Sequence, residues 1–195
     1  IELLLTLGTP RKDCKSIAKK ALKEFGSLKE VLEANPNELK SIKGIGDNNV
    51  FGLKIAQAVA RRYLADRIID KEFVRSADEV MAYLKHSLRD KNREAFLVIY
   101  LNGRNQILKM EELFKGTLTT SAVYPREVVK RALDNNAAAL VFVHNHPSGN
   151  PNPSQDDLTI TKKLKEAAKA IDVSIHDHLI IAGNEVYSFA DHGLI

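Results

Sequence analysis

Two histidines and an aspartate, His144, His146 and Asp157, form the pattern in this sequence that most favours metal chemistry. The apolar run at residues 137–143, directly before them, is short enough to predict a buried strand. Side chains two positions apart on a strand point to the same face, so both imidazoles can converge on one point if the strand continues through them. Two neutral nitrogens and one anionic oxygen leave a fourth coordination position open, which is the ligand pattern of catalytic zinc.

The segment that joins His146 to Asp157 can bring the carboxylate back to the imidazoles. Residues 147–153 are rich in Pro, Gly and Asn and predict a loop. Ser154 and Asp157 then have the spacing of a capping box at the start of a helix. An aspartate there is stabilised by the helix dipole even without a metal, and paired histidines also occur in hydrogen-bonded turns. The ligand spacing and the buried strand favour the metal interpretation over these alternatives.

Periodicity predicts the elements that must position these residues. Strands are expected at residues 95–101 and 106–114, joined by a hairpin turn, and again within residues 171–182. Apolar positions at helical spacing predict a helix from Lys15 to Phe25 and another that begins at Ser154. Strands before, between and after helices favour a mixed α/β layer fold over a helix bundle.

Several motifs of the chain resemble one known family. The spacing of His144, His146, Ser154 and Asp157 is similar to that of the JAMM metalloproteases, also called MPN+ or JAB proteins, which include zinc isopeptidases that remove ubiquitin and related modifiers. Four sequence runs resemble the bacterial RadC family in particular: Pro125-Arg126-Glu127-Val128, His144-Asn145-His146-Pro147-Ser148-Gly149, Pro153-Ser154-Gln155-Asp156-Asp157 and Asp177-His178. The resemblance covers nearly the whole chain.

This resemblance implies a fold, a cofactor and a reaction. It implies an α+β chain in which a small all-helical helix-hairpin-helix domain precedes a three-layer JAMM domain, similar to cytidine deaminase, with a mixed sheet. It implies Zn2+ held by His144, His146 and Asp157, and hydrolysis of an amide or isopeptide bond in a protein or peptide substrate by a zinc-activated water. The history of the RadC family adds a link to DNA repair. The identity of the substrate and the oligomeric state are not predicted.

The resemblance also implies two catalytic side chains, Glu94 and Ser154. In JAMM proteins a glutamate opens the strand that follows the first helix of the domain, and Glu94 matches that place as the general base. Ser154 is expected to hydrogen-bond the attacking water or the developing oxyanion. The alternatives are a solvated glutamate at the start of a strand and a serine that only caps its helix.

Asp177 and His178 form a further pair that resembles the RadC family. They are interpreted as support for the metal ligands or as a contact to the substrate. The alternation along residues 175–180 predicts one strand, with Asp177 on one face and His178 on the other. A structural histidine whose nitrogens are satisfied by hydrogen bonds is the competing interpretation of His178.

Residues 1–70 are predicted to form the helix-hairpin-helix domain and residues 71–195 the JAMM domain. Gly44-Ile45-Gly46 precedes a helix expected from about residue 48 to 65, and its two glycines allow a hairpin tight enough to face a phosphate. Residues 1–70 hold 13 Lys and Arg against 9 Asp and Glu, which accounts for the whole net charge of +4. DNA contact through this domain is therefore one interpretation. Asp47 beside the expected phosphate favours the alternative, a purely structural hairpin.

Composition indicates no membrane partner and permits the cytoplasm, which is the location that we expect. The chain is 44% apolar and 28% charged, which is ordinary for a soluble protein. No apolar run approaches the roughly 20 residues of a membrane helix, and no secretory signal is recognisable. The single cysteine, Cys14, excludes an internal disulfide. Ile1 enters in mid-pattern, so we expect further RadC-like sequence before it.

Two functions from other classes remain as alternatives. The letters His144-Asn145-His146 invite comparison with HNH nucleases, but those enzymes take their site residues from separated positions rather than from three neighbours. The second alternative is a DNA-binding or scaffold protein whose metal site is catalytically silent. The complete ligand set and the glutamate and serine that accompany it favour a hydrolase over a silent site.

Overall fold

The computed structural model describes residues 1–10, 12–88, 91, 93–115 and 123–195. The chain contacts divide it into two compact units, Ile1–Tyr63 and Leu64–Ile195. The division falls inside one long helix, Asp47–Ile68. The last turn of this helix places Ile68 in the core of the second unit. The boundary expected from the sequence, near residue 70, lies just after this helix ends.

The first unit is helical. Its elements are α1 (Glu2–Gly8), α2 (Lys15–Phe25), α3 (Leu28–Glu33), α4 (Pro36–Ser41) and α5 (Asp47–Ile68), of which α5 continues into the second unit. Polar caps fix two of the helix starts. Ser27 Oγ accepts a hydrogen bond from the Glu30 N–H before α3, and Asn35 forms a capping box with Glu38 before α4.

The second unit combines helices with one mixed sheet. Its elements are α6 (Ala77–Leu88), β1 (Ala95–Leu101), β2 (Ile107–Lys115), α7 (Pro125–Asp134), β3 (Ala139–Asn145), α8 (Gln155–Lys169), β4 (Ser174–Ala182) and β5 (Glu185–Ser188). The strand order is β2-β1-β3-β4-β5, in which only the β3–β4 pair is parallel. The expected α+β fold with a mixed sheet is confirmed.

Side chains of β1 alternate between two cores, one on each face of the sheet. Leu97 and Ile99 pack in the cluster that includes the apolar residues of α6. Phe96 and Val98 pack in the cluster that includes residues of α7 and α8. A strand buried on both faces has a nearly continuous apolar sequence, as residues 95–101 do. The second unit therefore consists of three layers, with α6 on one side of the sheet and α7 and α8 on the other.

The candidate site residues lie at one end of the sheet. Because β3 and β4 are parallel and α8 connects them, the chain leaves β3 at this end and enters α8 nearby. β1 runs antiparallel to β3, with Phe96 opposite His144, so β1 begins where β3 ends. The residues just before β1 and just after β3 are therefore neighbours across the strand pair.

A helix needs both length and an apolar sequence to span a membrane. The longest, α5, has 22 residues but carries Arg61, Arg62 and Arg67 among them. Among the residues that the structure describes, none of the helices combines the length and the apolarity needed to cross a bilayer.

Candidate metal centre

The three candidate ligands lie at the end of β3 and in the first turn of α8. His144 Nε2 is 2.9 Å from His146 Nε2 and 3.1 Å from Asp157 Oδ1, and His146 Nε2 is 3.4 Å from Asp157 Oδ2. Within the described part of the chain, these residues form the one group of His, Cys, Asp or Glu side chains close enough to hold a metal ion. Tetrahedral ligands about 2.0–2.1 Å from zinc are about 3.3 Å apart, which is close to these separations.

The two carboxylate oxygens of Asp157 have different surroundings. Oδ2 accepts hydrogen bonds from the Ser154 N–H at 2.7 Å and from Ser154 Oγ at 2.6 Å, and the Asp157 N–H donates to Ser154 Oγ at 3.2 Å. Together these bonds form a capping box at the start of α8. Oδ1 is buried and has no hydrogen-bond partner. Burying an anionic oxygen without a donor is unfavourable, so this oxygen fits a position beside a cation.

The same contacts explain where Ser154 directs its hydroxyl. In this structure the Oγ–H donates to Asp157 Oδ2, which orients the carboxylate so that Oδ1 points to the imidazole of His144. The hydroxyl of Ser154 thus orients a candidate metal ligand. Its interaction with an attacking water or an oxyanion stays a prediction.

Burial and hydrogen bonding act in opposite directions on two of these groups. Burial raises the pKa of the Asp157 carboxyl, but the interactions with His144 and His146 outweigh it and hold that pKa well below its ordinary range. Burial lowers the pKa of His146, but hydrogen bonds to Asp157 and to the Asn150 carbonyl outweigh it and raise the pKa above its ordinary value. Asp157 is therefore ionised at neutral pH, and a proton on His146 competes with a metal ion for the same lone pair.

Both imidazoles use Nδ1 for a hydrogen bond and turn Nε2 towards Asp157. His146 Nδ1 is 2.7 Å from the Asn150 carbonyl oxygen. That oxygen can only accept, so Nδ1 carries the proton and Nε2 of the neutral ring keeps its lone pair. The side chain of His146 is 11% exposed, whereas that of His144 is fully buried. The candidate site is therefore open to solvent on the side of His146.

His178 and Asp177 occupy opposite faces of β4, as the alternation predicts. His178 is fully buried and its Nε2 lies 2.8 Å from the Nδ1 of His144. The Asp177 carboxylate accepts hydrogen bonds from the Ala190 N–H at 2.9 Å and from Ser188 Oγ at 2.7 Å. The structure thus brings His178 to the candidate ligands and directs Asp177 towards the chain around β5. A substrate contact by either residue stays a prediction.

Glu94 lies directly before β1 and is partly exposed. Because Phe96 is opposite His144 in the antiparallel pair, Glu94, two residues before Phe96, is level with His146, two residues after His144. The charge of Glu94 is also one of the causes that raise the pKa of His146. The backbone of residue 94 is therefore level with the candidate ligands, and the role of Glu94 as a general base stays a prediction.

Asn145, between the two histidines, has a role that sequence patterns did not reveal. Its side chain points to the opposite face of β3 and is buried. Its Oδ1 accepts a hydrogen bond from the Ala95 N–H at 2.8 Å, and its Nδ2 donates to the carbonyls of Lys91 and Arg93 at 3.3 Å each. The peptide groups on both sides of Glu94 are thus bonded to one amide, an arrangement we call the Asn145 bracket. The one sequence feature that could have indicated this role is a polar residue within a strand predicted to be buried, since buried polar side chains are usually hydrogen-bonded.

Replacing Asn145 by alanine is expected to lower the free energy of unfolding by about 2–4 kcal/mol, because buried backbone groups lose their partners. Urea denaturation would measure this loss. Asn102→Ala is the matched control, since Asn102 Oδ1 also accepts two backbone hydrogen bonds, from Arg104 and Gln106, but in a turn that water can reach. We expect about 1 kcal/mol or less for the control. Equal losses in the two variants would contradict the role of the bracket.

The predicted DNA-contacting residues form the turn between α4 and α5. Gly44 has φ 108°, and a Cβ there would lie 2.8 Å from Ile17 Cδ1, so this position favours glycine for both conformation and space. Ile45 is buried in the core of the first unit. The Gly46 N–H donates to Asn49 Oδ1 at 3.0 Å. The turn is tight, but two of its amides already have partners, because the Ile45 N–H also donates to the Ile42 carbonyl at 3.0 Å. DNA contact stays a prediction.

Comparison with known proteins places these observations in a family. A family model described as RadC-like JAB domain matches residues 74–194. A UPF0758 protein of Aliivibrio fischeri is 42% identical over 195 residues, which cover all of this chain and 87% of the relative. A UPF0758 protein of Nitrosomonas eutropha is also 42% identical, with the same coverage. A third, from Haemophilus influenzae, is 39% identical over 99% of this chain and 88% of the relative.

Proposed function

Since this chain belongs to the RadC family of JAB-domain proteins, we propose that it is a zinc-dependent hydrolase of amide or isopeptide bonds. The observation that carries the proposal is the convergence of His144 Nε2, His146 Nε2 and the unpartnered Oδ1 of Asp157. Three protein ligands with an open fourth position are the arrangement of catalytic rather than structural zinc.

The donor set supports a cation at this point. The two Nε2 atoms are 2.9 Å apart, and the Nδ1 of His146 is committed to donate to a carbonyl. Two imidazole lone pairs at this distance repel each other unless a proton or a metal ion lies between them. Imidazole nitrogens together with one carboxylate suit zinc among the common metals.

The residues around the ligands have complementary roles in the proposed reaction. When bound, zinc supplies a Lewis acid that lowers the pKa of water towards about 7. Glu94 accepts the proton from the attacking water and returns it to the departing amine. Ser154 orients Asp157 through Oδ2, and its single hydroxyl proton would have to turn away from Oδ2 to donate to the developing oxyanion. A buried His144 and a partly exposed His146 leave one side of the site for an extended protein or peptide substrate.

Parallel assays on one zinc-loaded preparation test this function. Linear peptides, peptides with an acylated lysine side chain, and duplex and single-stranded DNA would each be incubated with it, with and without a chelator. We expect zinc-dependent release of an amine from at least one amide substrate and no cleavage of DNA. Metal-dependent cleavage of DNA alone would instead support a nuclease. If neither the amide substrates nor the DNA are cleaved, a DNA-binding or scaffold protein with a catalytically silent metal site becomes the better hypothesis.

A further inference from the structure

We propose that Thr161 and His178 are positioning residues that hold the proton of His144 on Nδ1, so that the Nε2 lone pair always faces Asp157. The proposal rests on the proposed function in one respect, namely that a metal ion is the group for which this lone pair is kept open. It concerns the direction of three consecutive hydrogen bonds, which join Asp157 to Thr161, Thr161 to His178, and His178 to His144. We call this series the Thr161–His178 relay.

The direction of the relay is set at its first bond. Thr161 Oγ1 lies 2.6 Å from the backbone carbonyl oxygen of Asp157, one turn earlier in α8. A carbonyl oxygen has no proton, so the threonine hydroxyl must donate this bond. The hydroxyl has only one proton, and its oxygen can therefore only accept in its second bond.

That second bond fixes the tautomer of His178. Thr161 Oγ1 is 2.6 Å from His178 Nδ1, so the proton of this bond belongs to Nδ1. His178 is fully buried, and aromatic rings surround it: the ring of Phe189 is stacked at 4.8 Å, and those of Phe96 and Phe142 lie edge-on at 5.6 and 5.8 Å. An imidazolium is strongly disfavoured in such apolar surroundings. The ring is therefore neutral, and its Nε2 has a lone pair but no proton.

The last bond transmits this assignment to the ligand. His178 Nε2 is 2.8 Å from His144 Nδ1, and because Nε2 has no proton, His144 Nδ1 must donate. A neutral His144 then has its lone pair on Nε2, the atom that lies 3.1 Å from Asp157 Oδ1. The relay begins at the backbone of Asp157 and ends at an atom facing the side chain of Asp157. One candidate ligand thereby orients another through buried groups alone.

The contribution of the relay to metal affinity follows from a comparison with the other neutral tautomer of His144. In the competing tautomer the proton of His144 is on Nε2, so that nitrogen cannot bind a metal ion until the proton moves to Nδ1. In that tautomer the Nε2 of His178 also lacks a hydrogen-bond donor. Hydrogen bonds to the second nitrogen of a metal-binding histidine commonly change metal affinity by about 10- to 100-fold. Sequence patterns could not reveal Thr161 in this role, because its partner His178 is brought to it only by the β3–α8–β4 crossover.

Two measurements on the whole chain test the relay. The first is nitrogen NMR of histidine-labelled, metal-free protein, which distinguishes the two neutral tautomers. We expect His144 and His178 each to carry the proton on Nδ1. The second is zinc affinity by competition with a chromophoric chelator, for which we expect Thr161→Val to bind zinc about 10- to 100-fold more weakly than the wild type.

Two further variants separate the relay from general effects on α8. Thr161→Ser keeps the hydroxyl and is expected to stay within about threefold of the wild-type affinity. Thr159→Val removes an exposed hydroxyl that donates to the Gln155 carbonyl in the same geometry, and it should also leave the affinity unchanged. Rescue by serine would not be expected if Thr161 only filled space in the core.

The outcomes distinguish the relay from the proposed function. A proton on Nε2 of His144 in the metal-free wild type, or wild-type zinc affinity in Thr161→Val, would overturn the relay. If Thr161→Val does not fold, the tautomer measured in the wild type decides by itself. Wild-type protein that takes up no zinc but shows both predicted tautomers would sink the hydrolase proposal and leave the relay standing.

Discussion

Substituting alanine for His146 is expected to reduce bound zinc from about one ion per chain to less than about a tenth of that, with the fold retained. The substitution leaves only His144 and Asp157 as ligands, and zinc sites in proteins need at least three. The fold should persist because His146 follows the last residue of β3 and belongs to neither core of the second unit. Its backbone N–H, which donates to the Ile181 carbonyl, is unaffected by the change.

The measurement is elemental analysis after extensive dialysis, accompanied by thermal unfolding. His176→Ala is the matched control, because His176 is exposed on β4 and contacts Asn105 rather than the candidate ligands. We expect wild-type zinc content in the control. Full zinc content in His146→Ala would show that the ion is held elsewhere, and loss of zinc together with loss of the thermal transition would make the variant uninformative about ligation, in which case Asp157→Asn replaces it.

The second large effect is expected from Glu94→Gln, which should lower the rate of hydrolysis by about 10²- to 10⁴-fold without changing zinc content. Glutamine has the size of glutamate but cannot accept a proton, so the substitution removes the base and little else. The peptide groups around residue 94 keep their bonds to Asn145, because those bonds involve only the backbone at this point. The three candidate ligands are unaltered. The loss should therefore appear in kcat rather than in zinc affinity.

Hydrolysis would be followed on whichever amide substrate the screen identifies. Glu185→Gln provides the control, since Glu185 is an exposed carboxylate at the start of another strand, β5. Wild-type turnover in Glu94→Gln would show that another group, or the solvent, takes the proton. Equal losses in both variants would show a general effect of charge rather than a base at residue 94.

Local signals predicted much of the secondary structure. β1 spans Ala95–Leu101 and α2 spans Lys15–Phe25, as expected from a continuous apolar run and from helical spacing that ends at a glycine. The capping box at Ser154 was also predictable, because all its partners lie within four residues. The helix α1, Glu2–Gly8, was not predicted, since its short apolar run carries no clear helical period.

The candidate site was predictable only in its contiguous part. The three ligands occur in one short stretch, so their spacing suggested a shared site. Asn145 and Thr161 escaped notice because their partners come from distant strands, in one case fifty residues away. The sequence predicted that Asp177 and His178 lie on opposite faces of one strand. It did not predict which of these two residues points to the candidate ligands, because that depends on the face of the sheet that α8 covers. Such assignments follow from tertiary packing, and a single sequence does not contain them in local form.

The Asn145 bracket has a consequence for how this site tolerates change around it. One side chain, located between the two histidines, holds both peptide groups next to Glu94, so the separation of Glu94 from His144 and His146 is set within a single strand pair. We therefore expect changes in the length or composition of nearby surface loops to leave the distances between Glu94 and the two histidines unaltered.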